Sequence, residues 1–231
     1  MTRTRRRAAV VIAGLLLATM PLGVARAERN PNPGVALPPQ ARPFGTTLGG
    51  WLSDWLTWSL EIPASQNTVF NPNTCDVNQR GQVFFLPTSI SLGMRYHCTV
   101  PAGAHVLACP GLTVGFLGLD ANTEEQLREL VVEGLKPIEV VRMSVDGEPL
   151  EALLARYTVI SPQLFTVDLP EDAIFGLPEG PRGVLGGGVC VMLHPLSVGE
   201  HTVRMFDAVG TDFKASSVST ITVVPRRPIV G

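Results

Sequence analysis

The stretch 138–147, IEVVRMSVDG, decides the class of fold. Val141, Met143 and Val145 alternate with Arg142 and Ser144, the period at which an extended chain presents every second side chain to one face. Asp146-Gly147 follows at once, and this pair tolerates the positive φ angles of a tight hairpin turn. The stretch reads as a half-buried strand running into a turn.

Outward from it the same texture recurs. Short β-branched, aromatic and apolar runs lie at 82–86, 95–100, 105–109, 112–117, 157–160, 164–168, 188–193, 201–206 and 217–224, separated by Gly, Pro, Asn and Asp. Gly186-Gly187-Gly188, beside Gly183, runs into a strand rather than a helix, so it lacks the helix start that binds phosphate and reads as a flexible connecting loop. Two segments keep a helical period instead. Trp51, Trp55 and Trp58 fall at i, i+4 and i+7, Leu48, Leu52, Leu56 and Leu60 widen their face, and Pro63 ends the run. The expected role is packing on a sheet, with a sugar-stacking or membrane-inserting aromatic face as the alternative. Further on, Asn122 or Thr123 can cap, Glu124 and Glu125 suit a helix start, and Leu127, Leu130 and Val131 form a stripe closed by Gly134 and Pro137. The fold expected is mainly β: an antiparallel β-sandwich, Ig-like or jelly-roll-like, with a leading amphipathic helix and one inserted helix. It occupies residues 45–231 as a single domain.

The N-terminus reads as an export signal. Arg3 to Arg7 form a basic start, Ala8 to Leu22 an apolar run, and Ala25-Arg26-Ala27 a small-x-small cleavage site, so the mature chain is expected to begin at Glu28. That apolar run falls short of the about 20 residues a membrane span needs, and no transmembrane segment is expected in the mature chain. Residues 28–44, rich in Pro and Asn, read as an extended leader outside the core. Five of the 18 Lys+Arg lie before Glu28 and none of the 20 Asp+Glu does, which leaves 13 against 20 and a net charge near −7. Such a chain is not a nucleic-acid binder by default. With 45% hydrophobic and 16% charged residues it can bury a core, so disorder is excluded as well.

All four cysteines, Cys75, Cys98, Cys109 and Cys190, follow the signal, and an even count in an exported chain predicts two disulfides. Three pairings are open. Cys75 with Cys98 and Cys109 with Cys190 is the one favoured, because the first encloses a local excursion and the second joins two core-like strands. Free buried cysteines are the alternative.

The combination WSLEIPASQN (58–67), TCDVNQRGQVFFLPTS (74–89), RYHCTVPAGAH (95–105), SVDGEPL (144–150), ARYTVISPQLFTVDLP (155–170) and VMLHPLSVGEHTV (191–203) resembles a family of exported bacterial proteins. Its members open with a Trp-rich helix and end with a PLxxGEHT hairpin. The likeness spans about residues 45 to 210 and implies an envelope or secreted protein with an all-β core and no particular activity. Where the family pattern has a lysine and an aromatic pair this chain has Ala104 to Cys109, and where an aromatic precedes VML it has Cys190. Two unusual cysteines at two core-like positions support a bond between them.

Chemical signatures are sparse. No nucleophile elbow, zinc-protease helix, phosphate loop or CxxC pair occurs, so no catalytic residue is assigned. His105 and Cys109 on one extended segment sit about 13 Å apart at about 3.3 Å per residue and cannot share a tetrahedral ion. The best remaining pair is His194 and His201: in a hairpin around 195–200 they would face each other about 5 Å apart, with Glu200 adjacent, as a weak binding site. Neither cofactor nor metal is otherwise expected.

The reading is a non-enzymatic exported binding or structural module of the cell envelope or extracellular space, with an envelope or extracellular partner or ligand. A secreted hydrolase or metal-dependent enzyme with a dispersed site is the alternative. Secretion into the medium or periplasm predicts an intact mass that starts at Glu28 and lies four hydrogens below the reduced chain; mass spectrometry before and after reduction checks both at once.

Overall fold

The computed structural model describes residues 30–72 and 75–226. The expected signal and its cleavage site lie outside these residues. The described chain is mainly strands. In order it runs α1 (Leu48–Leu60), β1 (Val83–Leu86), β2 (Met94–Pro101), β3 (His105–Ala108), β4 (Leu112–Phe116), α2 (Glu124–Leu135), β5 (Ile138–Val145), β6 (Glu148–Pro149), α3 (Leu153–Tyr157), β7 (Thr158–Ile160), β8 (Phe165–Leu169), β9 (Gly180–Val189), β10 (Val191–Leu193), β11 (Gly199–Val209) and β12 (Phe213–Val224).

These strands form three sheets. One orders β1-β3-β10, a second β2-β12-β11-β5-β6, and the third β4-β9-β7, with β8 also on β9. Phe116 of β4 and Phe165 of β8 both face Val184, so β4 occupies one edge of β9 while β7 and β8 follow each other along the opposite edge. The expectation of a purely antiparallel arrangement is corrected at two places: β1 runs parallel to β3, and β2 parallel to β12. In both, the paired strands are joined by crossing to another layer rather than by a tight turn, which pattern counting along the sequence does not register.

The turn after β5 forms as expected, with Asp146 at φ 52° and Gly147 at φ 88°. Thr47 caps α1 by accepting from the Gly50 N–H, and Thr123 caps α2 by accepting from Gln126.

Helix α1 is a core element. Trp55 and Trp58 are buried, and each indole N–H finds a carbonyl: Trp55 donates to Leu86 at 2.9 Å, Trp58 to Val77 at 2.8 Å, and the half-buried Trp51 to Pro43 at 3.2 Å. With all three ring nitrogens satisfied inside the fold, the sugar-stacking or lipid-inserting alternative is removed.

The glycine triplet is strand rather than loop. A Cβ on Gly186 would meet the Leu56 methyl of α1, while one on Gly187 would meet Val131 and Leu135 of α2 at 2.9 Å each. Successive residues of β9 point to opposite faces, so the missing side chains let one helix seat on each side of the strand.

Two disulfides join Cys75 to Cys98 and Cys109 to Cys190, the favoured pairing. They close loops of 23 and 81 residues, which by chain entropy corresponds to about 3 and about 4.5 kcal/mol. The described part of the 28–44 segment, residues 30–44, also departs from expectation, because it is docked on the core. Ala36 is fully buried, Leu37 N–H donates to Met192, His194 N–H donates to Val35, and the buried Tyr157 hydroxyl bonds the Asn30 side chain and the Leu37 carbonyl. The segment has no apolar period, but its backbone completes the free edge of β10.

Gly186→Val tests the helix seat. The added side chain drives Leu56 off β9, and the midpoint of chemical denaturation is expected to fall by the equivalent of about 2 to 3 kcal/mol, whereas Gly147→Asn, at an open turn, costs less than about 1 kcal/mol.

Candidate functional site

The strand β11 carries its apolar side chains in alternation. Val203 and Met205 point into the core, and two residues further along the same face stands Asp207, a carboxylate at an inward position with only 6% of its surface exposed. Its cross-strand neighbours are Val141 on β5 and Ala215 on β12. No ion pair holds it among the described residues; its partner is the Gly111 backbone N–H. Burial pushes the Asp207 carboxyl up to about 6, with the Gly111 hydrogen bond opposing the shift.

Asp207 forms part of the wall of a pocket of about 190 Å³. Trp55, Leu56, Ser59 and Leu60 of α1 form one side, Gly111, Leu112 and Val114 at the start of β4 another, and the loop 88–90 a third. Its rim is aromatic and exposed. Phe175, 62% exposed, stands in a left-handed turn at φ 60°, with its ring 5.7 Å edge-on to Phe70, and Ile90 and Phe213 flank it. A non-glycine residue held at positive φ costs of order 1 kcal/mol, so this presentation of Phe175 is imposed by its surroundings. Chemically the site is a greasy recess with one titratable group.

The histidines fall elsewhere. His194 follows β10 and His201 lies in β11, strands of two different sheets, so the expected 194/201 hairpin does not form. His194 instead stands beside His105 across the β3–β10 seam, ring centroids 6.4 Å apart. Burial, and then the charge of His194, hold His105 below its ordinary pKa, and its Nδ1 is buried with no hydrogen-bond partner. Glu200 is exposed on β11, opposite Thr222.

His201 belongs to a different constellation. Its Nδ1 lies 2.7 Å from Asp146 Oδ2, and its Nε2 lies 2.9 Å from the Ser197 carbonyl and 3.2 Å from Ser197 Oγ. A Ser-His-Asp order is present in outline. Burial opposes charge on His201, but the Asp146 hydrogen bond, the Ser197 carbonyl and the Asp146 charge together raise its pKa; conversely Asp146, despite its own desolvation, is lowered by His201 and the Thr202 N–H. Nε2 lies nearer the Ser197 carbonyl, which can only accept, than Ser197 Oγ, so the ring nitrogen that would have to take the serine proton is directed at the backbone. The arrangement is a clasp that ties the β5–β6 turn to the 195–200 loop.

Among the described residues no group of three His, Cys, Asp or Glu is placed to hold a metal ion, and no helix is long and apolar enough to cross a membrane. Asp207 and the pocket were missed from sequence because the strand was read only to Phe206. The signal was there: Val203, Met205, Asp207 and Val209 alternate on one face, and an acid among them marks an inward carboxyl.

No protein-family model and no curated protein matches the chain. A solved structure described as "Structure of PbICP-C in complex with falcipain-2" aligns over 62% of this chain and 100% of its own at 10% identity, with a TM-score of 0.26. A likeness of that size carries no argument about fold or function.

The pocket carboxyl makes stability depend on pH in a defined direction. Its folded pKa, about 6, lies above the 3.8 of an exposed aspartate, so its charged form is disfavoured in the fold, and stability falls as pH rises from about 4 through 6. Asp207→Asn is expected to raise stability at pH 7.5 by about 1 kcal/mol or more and to give no gain at pH 4, as read by denaturant titration at both values.

Proposed function

We propose that this chain is an exported, non-enzymatic binding module, a β-sandwich of an extracytoplasmic space that receives the apolar part of a small ligand in the recess between α1, β4, β11 and Phe175. One observation carries the reading: a buried carboxyl with no ion pair among the described residues stands in the wall of a mostly apolar pocket, at a position where β11 would be more stable with an apolar residue. A costly carboxyl of this kind, buried in a cleft, marks a candidate functional site.

Supporting features agree. Two disulfides fit an oxidising compartment, and Cys109 of one stands two residues from Gly111 in the pocket wall. The N-terminal 27 residues have the layout of an export signal. Membership of the exported bacterial family that the sequence resembles belongs to the same proposal, and so does an Ig-like or jelly-roll-like arrangement of the sheets. The His201 clasp, with both ring nitrogens engaged, lends the hydrolase alternative no support.

Trp55 lines the recess, so occupancy is readable. The neutral dye N-phenyl-1-naphthylamine is expected to bind saturably at one site with enhanced emission and to accept energy from tryptophan. Val114→Phe, which fills the recess from β4, is expected to weaken that binding by about tenfold or more while leaving the circular dichroism unchanged. Unchanged dye binding in a folded Val114→Phe protein would overturn the reading.

A further inference from the structure

We propose that the pocket's ligand is a primary amine on an alkyl or arylalkyl chain, with its ammonium group paired to Asp207 and its chain lying under Phe175, Phe213 and Ile90. The inference rests on the pocket reading above and assigns the chemical class of the occupant.

Charge complementarity decides it. Among the described residues Asp207 is the one titratable side chain in the pocket's lining; α1, β4, β12 and the loops around 88–90 and 174–176 contribute apolar groups and hydroxyls. Of the cations on neighbouring strands, Arg142 of β5 sits over the Phe206 ring at 5.5 Å, and Lys214 of β12 is exposed. An anionic ligand would therefore meet a carboxylate with no countercharge. Metal ions are a poor fit too, because a hard cation needs several oxygen donors and a single carboxylate is present.

A carboxylate has about four acceptor positions, and the Gly111 N–H fills one. An ammonium group brings three donors and a positive charge, so it both satisfies the remaining lone pairs and offsets the desolvation that burial imposes. A neutral alcohol brings one donor and no charge. The hydroxyl of Ser89 cannot do the same from within, because it already donates to the Ser91 carbonyl and accepts from the Ser91 N–H. The aromatic rim completes the match. Phe175, Phe213 and Ile90 are 62%, 41% and 40% exposed, and they form an apolar lip that an alkyl chain covers and that a compact polar amine would leave in water.

The test uses the oxidised, disulfide-bonded protein at pH 7.5 with octylamine, octanol and octanoate, each kept below its aggregation concentration, and reads binding by calorimetry and by displacement of N-phenyl-1-naphthylamine. Octylamine is expected to bind at one site at least about tenfold more tightly than octanol, and octanoate more weakly than either. Asp207→Asn, close in shape to the original and expected to fold at least as stably, should lower octylamine affinity to that of octanol and leave octanol unchanged. Octanol or octanoate binding as tightly as octylamine, or octylamine affinity unmoved in Asp207→Asn, overturns the amine assignment while the pocket reading stands. Failure of all three compounds and of the dye to bind overturns the pocket reading, and the amine assignment with it.

Discussion

Helix α1 is seated on β9 through Leu56 against the bare backbone of Gly186, and the three tryptophan N–H groups on the same helix reach carbonyls at Pro43, Val77 and Leu86. The apolar contact brings the helix close, and the hydrogen bonds fix its rotation and position along its own axis, since each indole has one donor and one geometry in which to use it. Because those carbonyls belong to the segment before α1, the excursion after it and the end of β1, the helix ties the N-terminal third of the chain to the four-stranded sheet. The pocket exists where this seat leaves off: Trp55, Leu56, Ser59 and Leu60 overhang the start of β4 and the end of β11 without closing on them.

One covalent tie and one strand edge hold the complementary side. Cys109 follows β3 and Cys190 precedes β10, so their bond clamps a seam that hydrogen bonds already join. The residues before α1 lie on the other edge of β10 and cover backbone groups that would otherwise face water, at the cost of ordering a chain with little side chain to bury. Rigidity of this kind suits the ligand recess proposed above, because little further order has to be imposed on binding.

Most of the elements were legible along the chain. The alternation at Val141, Met143 and Val145, the Asp146-Gly147 turn, the Thr123 cap and the helical spacing of Trp51, Trp55 and Trp58 each follow from local stereochemistry, which depends on neighbours a few residues away. Several features were not legible, for related reasons. Parallel pairing of β1 with β3 and of β2 with β12 depends on where connections cross. The glycine triplet has the composition of a loop, and only the two helices that rest on it make it strand. His194 was matched with His201 by nearness in sequence, whereas the sheet order gives it His105.

The sequence by itself determined the period of each element, where turns interrupt it and the cysteines available for pairing, because these are properties of a few consecutive residues and their stereochemistry. Tertiary structure alone decided that Asp207 meets no cation among the described residues, that the recess beside it stays open, and that His201 is spent on Asp146 and Ser197. Each of those depends on which groups from distant segments arrive at one point in space, and burial, charge and hydrogen bonding there are set by the company a side chain keeps rather than by the residue itself.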